Sequence, residues 1–190
     1  MSIVSVIVVA LALGVVNMLL FRRCGEATPV RLTTGLLIVL GVSAIHVLLY
    51  YLGTLTGGLL ALYSPSDEHL YDDVNAYIFL GIVLVVDLKM LWPYLRREPR
   101  LPVFDLRSAK SVLAMAVASG VNVLLVGIGM GFVAHSQSDT SVWPLLVSCI
   151  LLSYLGLMLG RRKVQLRPRR WMVMACVLLL GTAIAACVNA

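Results

Sequence analysis

The stretch ASGVNVLLVGIGMG, residues 118–131, is built almost wholly of apolar and small side chains, with one amide, Asn122, near its centre. A helix on the surface of a soluble domain would return a polar face every three or four residues. This one does not, and the apolar run around it extends over 110–134. That is more than the roughly 20 residues that carry a helix across ~30 Å of hydrocarbon. Similar runs recur at about 2–21, 33–62, 74–95, 142–160 and 171–189. The second is overlong and is expected to finish near Gly58.

Composition agrees. Of 190 residues 61% are hydrophobic and 13% charged, and the mean hydropathy is +0.99. A soluble domain of this size needs more polar surface. The reading is an all-α polytopic membrane protein with six transmembrane helices. The first run lacks a basic leader and is too long for a signal core, so it is expected to stay as a span.

Charge placement predicts the orientation. All fifteen Lys and Arg except Lys89 lie in three alternate segments. Arg22, Arg23 and Arg31 follow the first run. Arg96, Arg97, Arg100, Arg107 and Lys110 lie between the third and fourth. Arg161, Arg162, Lys163, Arg167, Arg169 and Arg170 follow the fifth. The other two loops carry Asp67, Glu68, Asp72, Asp73 and Asp139, and no basic residue. The positive-inside rule then puts the basic loops in the cytoplasm and both termini outside. The net charge of +6 reads as topology and not as nucleic-acid binding.

Two short matches recur half a chain apart. VVNMLLF (15–21) echoes GVNVLLV (120–126), and YLGTLTG (51–57) echoes YLGLMLG (154–160), at offsets of 105 and 103 residues. Three spans per half would make the second half enter the membrane inverted, the plan of many transporters, with the substrate site near the midplane between the halves. The expected organisation is a single transmembrane domain over 1–190. Repeat one is 1–95, a cytoplasmic linker is 96–109, and repeat two is 110–190. Small residues four apart in both YLGxxxG segments favour close helix approach.

On these residues the chain resembles the MntP family of manganese efflux pumps, within the LysE-like transporter superfamily. ASGVNVLLVGIGMGF is similar to the family's A-T-S-I-D-A-L-A-V-G-I-G-L-A-F, and LLSYLGLMLGRR to L-S-L-L-G-V-L-I-G-R-R. YIFLGIVLVVDLKM places Lys89 on the family lysine, and alignment through Gly53 sets His46 where the family has Gln or Glu. The resemblance implies export of a divalent cation by alternating access, in a bacterial-type plasma membrane. It also shows departures. The family's two membrane-embedded aspartates fall on Asn17 and Asn122, its span-two proline falls on Tyr50, and its span-six acidic residue has no counterpart.

Two amides offer carbonyl oxygens but cancel no charge, and a divalent ion at low dielectric needs cancellation. Asp87 is the only carboxylate inside a span, which makes it the candidate source of that charge. Asp87, Asn122 and Asn17 are therefore the candidate metal ligands, and His46 a further ligand or proton carrier. At ~1.5 Å per residue from the basic ends, Asp87 is roughly 13 Å deep, Asn122 about 18 Å, His46 about 21 Å and Asn17 roughly 8 Å. Lys89, two residues beyond Asp87, should face elsewhere and snorkel to the interface. Ser43, Ser119, Ser148 and Ser153 should bond their own helices.

No nucleophile elbow, nucleotide loop or zinc-helix motif occurs, so neither an enzyme nor a cofactor is expected. The four cysteines show no metal-ligand spacing and read as small apolar residues. The acidic segment SPSDEHLYDD (64–73) lacks calcium-loop spacing. The partners implied are the lipid bilayer and a transported cation. Two alternatives stand beside export of manganese: a relative with a different substrate, and a non-transporting scaffold or accessory protein.

Overall fold

The computed structural model of the protein describes residues 3–63, 68–95, 103–133 and 142–188. The arginines at 96, 97 and 100, the acidic residues at 67 and 139 and both chain termini lie outside that range. Six helices follow one another: α1 (Ile3–Ala27), α2 (Leu32–Ala61), α3 (Glu68–Leu95), α4 (Ala109–Val133), α5 (Val142–Arg161) and α6 (Pro168–Val188). Each contains a stretch long and apolar enough to cross a membrane. No strand occurs among the described residues.

Large apolar side chains stand exposed at mid-helix positions on the outside of the bundle, including Leu37, Leu48, Val85, Leu151 and Val177. In water this would be an aggregation surface. In lipid it is the ordinary outer face of a span.

Four helix ends differ from the sequence reading, one of them the start of α3 at Glu68 and not near residue 74. The first helix does not stop near residue 21 but continues through Arg22 and Arg23 to Ala27. Arg22 is buried there because its charge has partners. Its Nε donates to the Val164 carbonyl at 2.9 Å, and its guanidinium reaches Glu26 at 3.5 Å. The second helix runs past Gly58 to Ala61. The sixth starts at Pro168, a residue whose missing N–H costs nothing at the first helical position.

The turn after α5 explains how Val164 comes to meet Arg22. Lys163 takes a left-handed conformation, φ 51°. Its N–H bonds the Gly160 carbonyl at 2.9 Å, while Val164 N–H reaches back to Leu159 at 3.1 Å. That pair of bonds is the Schellman motif. It turns the chain sharply and aims the Val164 carbonyl at α1.

Packing follows the small residues. A methyl group at Gly156 would overlap the Met18 carbonyl oxygen, and one at Gly160 the Arg22 carbonyl, so α5 lies directly against the α1 backbone. Gly53 and Gly57 of α2 meet the Leu124 and Ile128 carbonyls of α4 in the same way. In lipid this close approach, not solvent exclusion, holds helices together. The main pairings are α1 with α5, α2 with α4, α3 with α4, α3 with α6, α1 with α6 and α2 with α5. Exchanging α1, α2 and α3 for α4, α5 and α6 turns this set of pairings into itself.

Candidate functional site

The candidate polar groups of the described spans fall into two hydrogen-bonded sets and one carboxyl apart from both. The first set starts at Asn17 of α1, whose side chain reaches α2 and α5. It is 2% exposed. Its Nδ2 lies 3.0 Å from His46 Nδ1 and 3.6 Å from Cys149 Sγ. An amide nitrogen can only donate, so His46 Nδ1 accepts and the ring proton sits on Nε2. His46 Nε2 then donates to Ser119 Oγ at 2.9 Å, and the Ser119 hydroxyl passes its own hydrogen to the Met115 carbonyl at 2.8 Å. The bonds run in one direction from α1 through α2 to α4. They fix a neutral imidazole in one tautomer.

The second set is a single bond. Lys89 of α3 donates from Nζ to Asn122 Oδ1 of α4 at 2.9 Å. Lys89 therefore does not snorkel free to the interface. An ammonium at this depth does better against a carbonyl oxygen within reach than with its donors unmet in an apolar surround. Lys89, Asn122 and Ser119 share the wall of a cavity of about 210 Å³, otherwise lined mainly by apolar groups such as Val16, Leu19, Met90 and Met172. Phe104 and Pro93 line it as well.

Asp87 stands apart. It is 6% exposed, and its Oδ1 is buried without a hydrogen-bond partner. It faces α6, where the Cys176 thiol reaches the Asp87 backbone carbonyl at 4.0 Å. It is not among the residues lining the cavity. Of the four candidates, then, Asn17 and His46 touch, Asn122 is held by Lys89, and Asp87 belongs to neither set. Among the described residues, no three His, Cys, Asp or Glu side chains gather closely enough to hold a metal ion.

The extended α1 also changes the depth of Asn17. Ten residues separate it from the helix end at Ala27, about 15 Å along the axis. That brings it level with Ser119, ten residues from the start of α4. Ser119 bonds its own helix as expected, whereas the Ser43 hydroxyl oxygen is buried with no partner, which nothing in the structure explains.

Residues 29–186 match the family model described as "Mntp: Putative manganese efflux pump". The chain belongs to the MntP family. No curated protein and no solved structure matches it. As a member of that family it is a multi-pass membrane protein of a transporter class, in contact with the lipid bilayer. The match covers His46, Asp87, Lys89 and Asn122, while Asn17 precedes it.

Cys149 is the residue at this MntP-type site that the sequence reading passed over. The signal was present. The 103-residue offset that maps YLGTLTG onto YLGLMLG also carries His46 onto Cys149. The two side chains related by that offset converge on the same amide nitrogen, that of Asn17.

Proposed function

We propose that the protein is a cation exporter of the MntP type, made of two inverted three-helix repeats. In this reading both termini are extracytoplasmic, and the protein moves its ion out of the cytoplasm by alternating access. Asn17, His46 and Asn122 face the path between the halves, and Asp87 supplies the negative charge that the two amides lack. The observation that carries the reading is the carboxyl oxygen of Asp87, buried in a span without a partner. Such a group is costly to keep unless it works. A scaffold has no use for it, whereas a cation carrier without the family's aspartates does. The symmetric pairing of helices supports the repeat. Manganese, the family's ion, is the first substrate to test.

Inverted membrane vesicles loaded with the protein should take up Mn²⁺, and Asp87→Asn should abolish the uptake while Lys89→Gln retains most of it. Uptake that is unchanged in Asp87→Asn would remove Asp87 from the mechanism.

One observation favours a second reading, in which the substrate has changed. Lys89 places a fixed positive charge against Asn122, where a metal ligand would have to sit. A divalent ion there meets repulsion on one side and no carboxylate on the other.

A further inference from the structure

The strongest unassigned feature is the meeting of His46 and Cys149. Both are fully buried, at 0% exposure, and Asn17 between them is 2% exposed. The two hydrogens of one NH₂ group point at an imidazole nitrogen 3.0 Å away and a thiol sulfur 3.6 Å away. An N–H donor placed between two lone-pair atoms marks a point where a small cation would find two ligands. Charge decides which cation. Among the described residues no carboxylate touches this point, so a divalent ion bound by one imidazole and one thiolate would leave a net positive charge in the bundle. A monovalent ion bound by the same pair leaves none.

We propose that Asn17, His46 and Cys149 form a site for a monovalent, thiophilic cation, Cu(I) or its analogue Ag(I). This deepens the changed-substrate reading given above and rests on it. Sulfur and imidazole are the ligands that select such ions, whereas manganese prefers oxygen. Two ligands suffice for them, since they accept linear coordination. Binding swings the Asn17 amide nitrogen aside. The S–H bond of Cys149 breaks as the metal–sulfur bond forms, and the proton leaves to solvent. One cation enters for one proton released, so the charge of the buried site does not change. His46 coordinates through Nδ1, already its unprotonated nitrogen, while Nε2–H stays on Ser119. Ser119 also lines the cavity that Lys89 and Asn122 share, so the site is one hydrogen bond from that cavity. A second soft pair lies two helical turns along α1. There Cys24 Sγ sits 3.7 Å from Met115 Sδ, both fully buried, on the basic-loop side of Asn17. That pair would be an entry station on the same route.

The test is an Ag⁺ titration of the purified full-length protein carrying Cys24→Ala, Cys176→Ala and Cys187→Ala, which leaves Cys149 as its one thiol. One Ag⁺ should bind per chain with release of one proton, and silver X-ray absorption should report one sulfur and one nitrogen neighbour. Changing a residue that only supports a metal ligand costs such sites about 10–100-fold, so loss of a direct ligand in Cys149→Ser or His46→Phe should weaken binding by about 100-fold or more. Cys149→Met keeps a soft sulfur but has no proton to lose. It should still bind Ag⁺ with no proton release, but more weakly than the thiol because one positive charge is then uncompensated, and it tests the site even if Cys149→Ser misfolds. Sulfur-only coordination, or equal affinity in His46→Phe, would overturn the proposal. The exporter reading fails separately: Ag⁺ bound at this site but never carried into inverted vesicles would end it and leave the binding site standing. Mn²⁺ uptake with no Ag⁺ site would do the reverse.

Discussion

Lys89 and Asn122 are joined across the α3–α4 contact by a 2.9 Å hydrogen bond from ammonium to amide oxygen. A carboxylate placed at position 122 would therefore meet a lysine before it met a metal. Asn122→Asp alone should improve Mn²⁺ affinity little, because the new charge is consumed in an ion pair. Asn122→Asp with Lys89→Gln should bind Mn²⁺ about tenfold more tightly than Asn122→Asp alone, a difference of ~1.4 kcal/mol. Calorimetry in detergent measures this. Equal affinities would mean that Lys89 leaves Asn122 when an ion arrives.

Neither amide carries a charge that could offset an ion. Asn17→Asp combined with Asn122→Asp should strengthen divalent binding and partly restore Mn²⁺ uptake to Asp87→Asn vesicles, since each change acts through compensation of an ion at low dielectric. A wild type that binds no Mn²⁺ beside a double variant that does would separate the fold, which is shared with the family, from a substrate that is not.

Close packing gives a stability contrast between glycines. Gly156→Ala sets a methyl group against the Met18 carbonyl and should destabilise by about 1–3 kcal/mol, as overpacking does. Gly181→Ala meets nothing within 4 Å and should be neutral or stabilising by up to ~1 kcal/mol. Thermal unfolding of the two variants in the same detergent decides it. The expectation fails if their midpoints coincide.

The turn that feeds Val164 to Arg22 holds a lysine where glycine is at ease. Lys163→Gly relieves a left-handed conformation that costs a side-chain-bearing residue roughly 1 kcal/mol. The midpoint of unfolding should rise, with the Arg22 bond to Val164 kept. A lower midpoint would show that the lysine side chain contributes more than its backbone costs.

Ser119→Ala removes the acceptor for His46 Nε2–H. A buried donor left unmet costs about 1–3 kcal/mol, and the imidazole can recover by changing tautomer only by giving up Asn17. A loss of that order in unfolding free energy is expected, together with a shifted ¹⁵N signal for the His46 ring. An unchanged ring signal would contradict the tautomer derived from the hydrogen-bond directions.

Much of this protein was legible in its residues. Apolar runs of membrane length, with basic and acidic loops in alternation, give six helices because hydrocarbon admits no unpaired backbone and each span must satisfy its own. That positions 17 and 122 hold amides is likewise a matter of identity, and chemistry alone says what an amide cannot do for a divalent ion. Helix ends were less legible. Arg22 looks like a stop, and its burial depends on the Val164 carbonyl, 142 residues away in sequence. The grouping of the polar side chains came only from packing. Periodicity sends Asp87 and Lys89 to different faces of α3 but does not say that one meets α6 and the other Asn122. The four cysteines show no ligand spacing along the chain, because the partner of Cys149 is supplied by another helix. His46 and Cys149 reach the same amide because glycines let α5 lie on α1 and α2 on α4. Such contacts depend on shape matched across helices, a property that no single segment of the sequence contains.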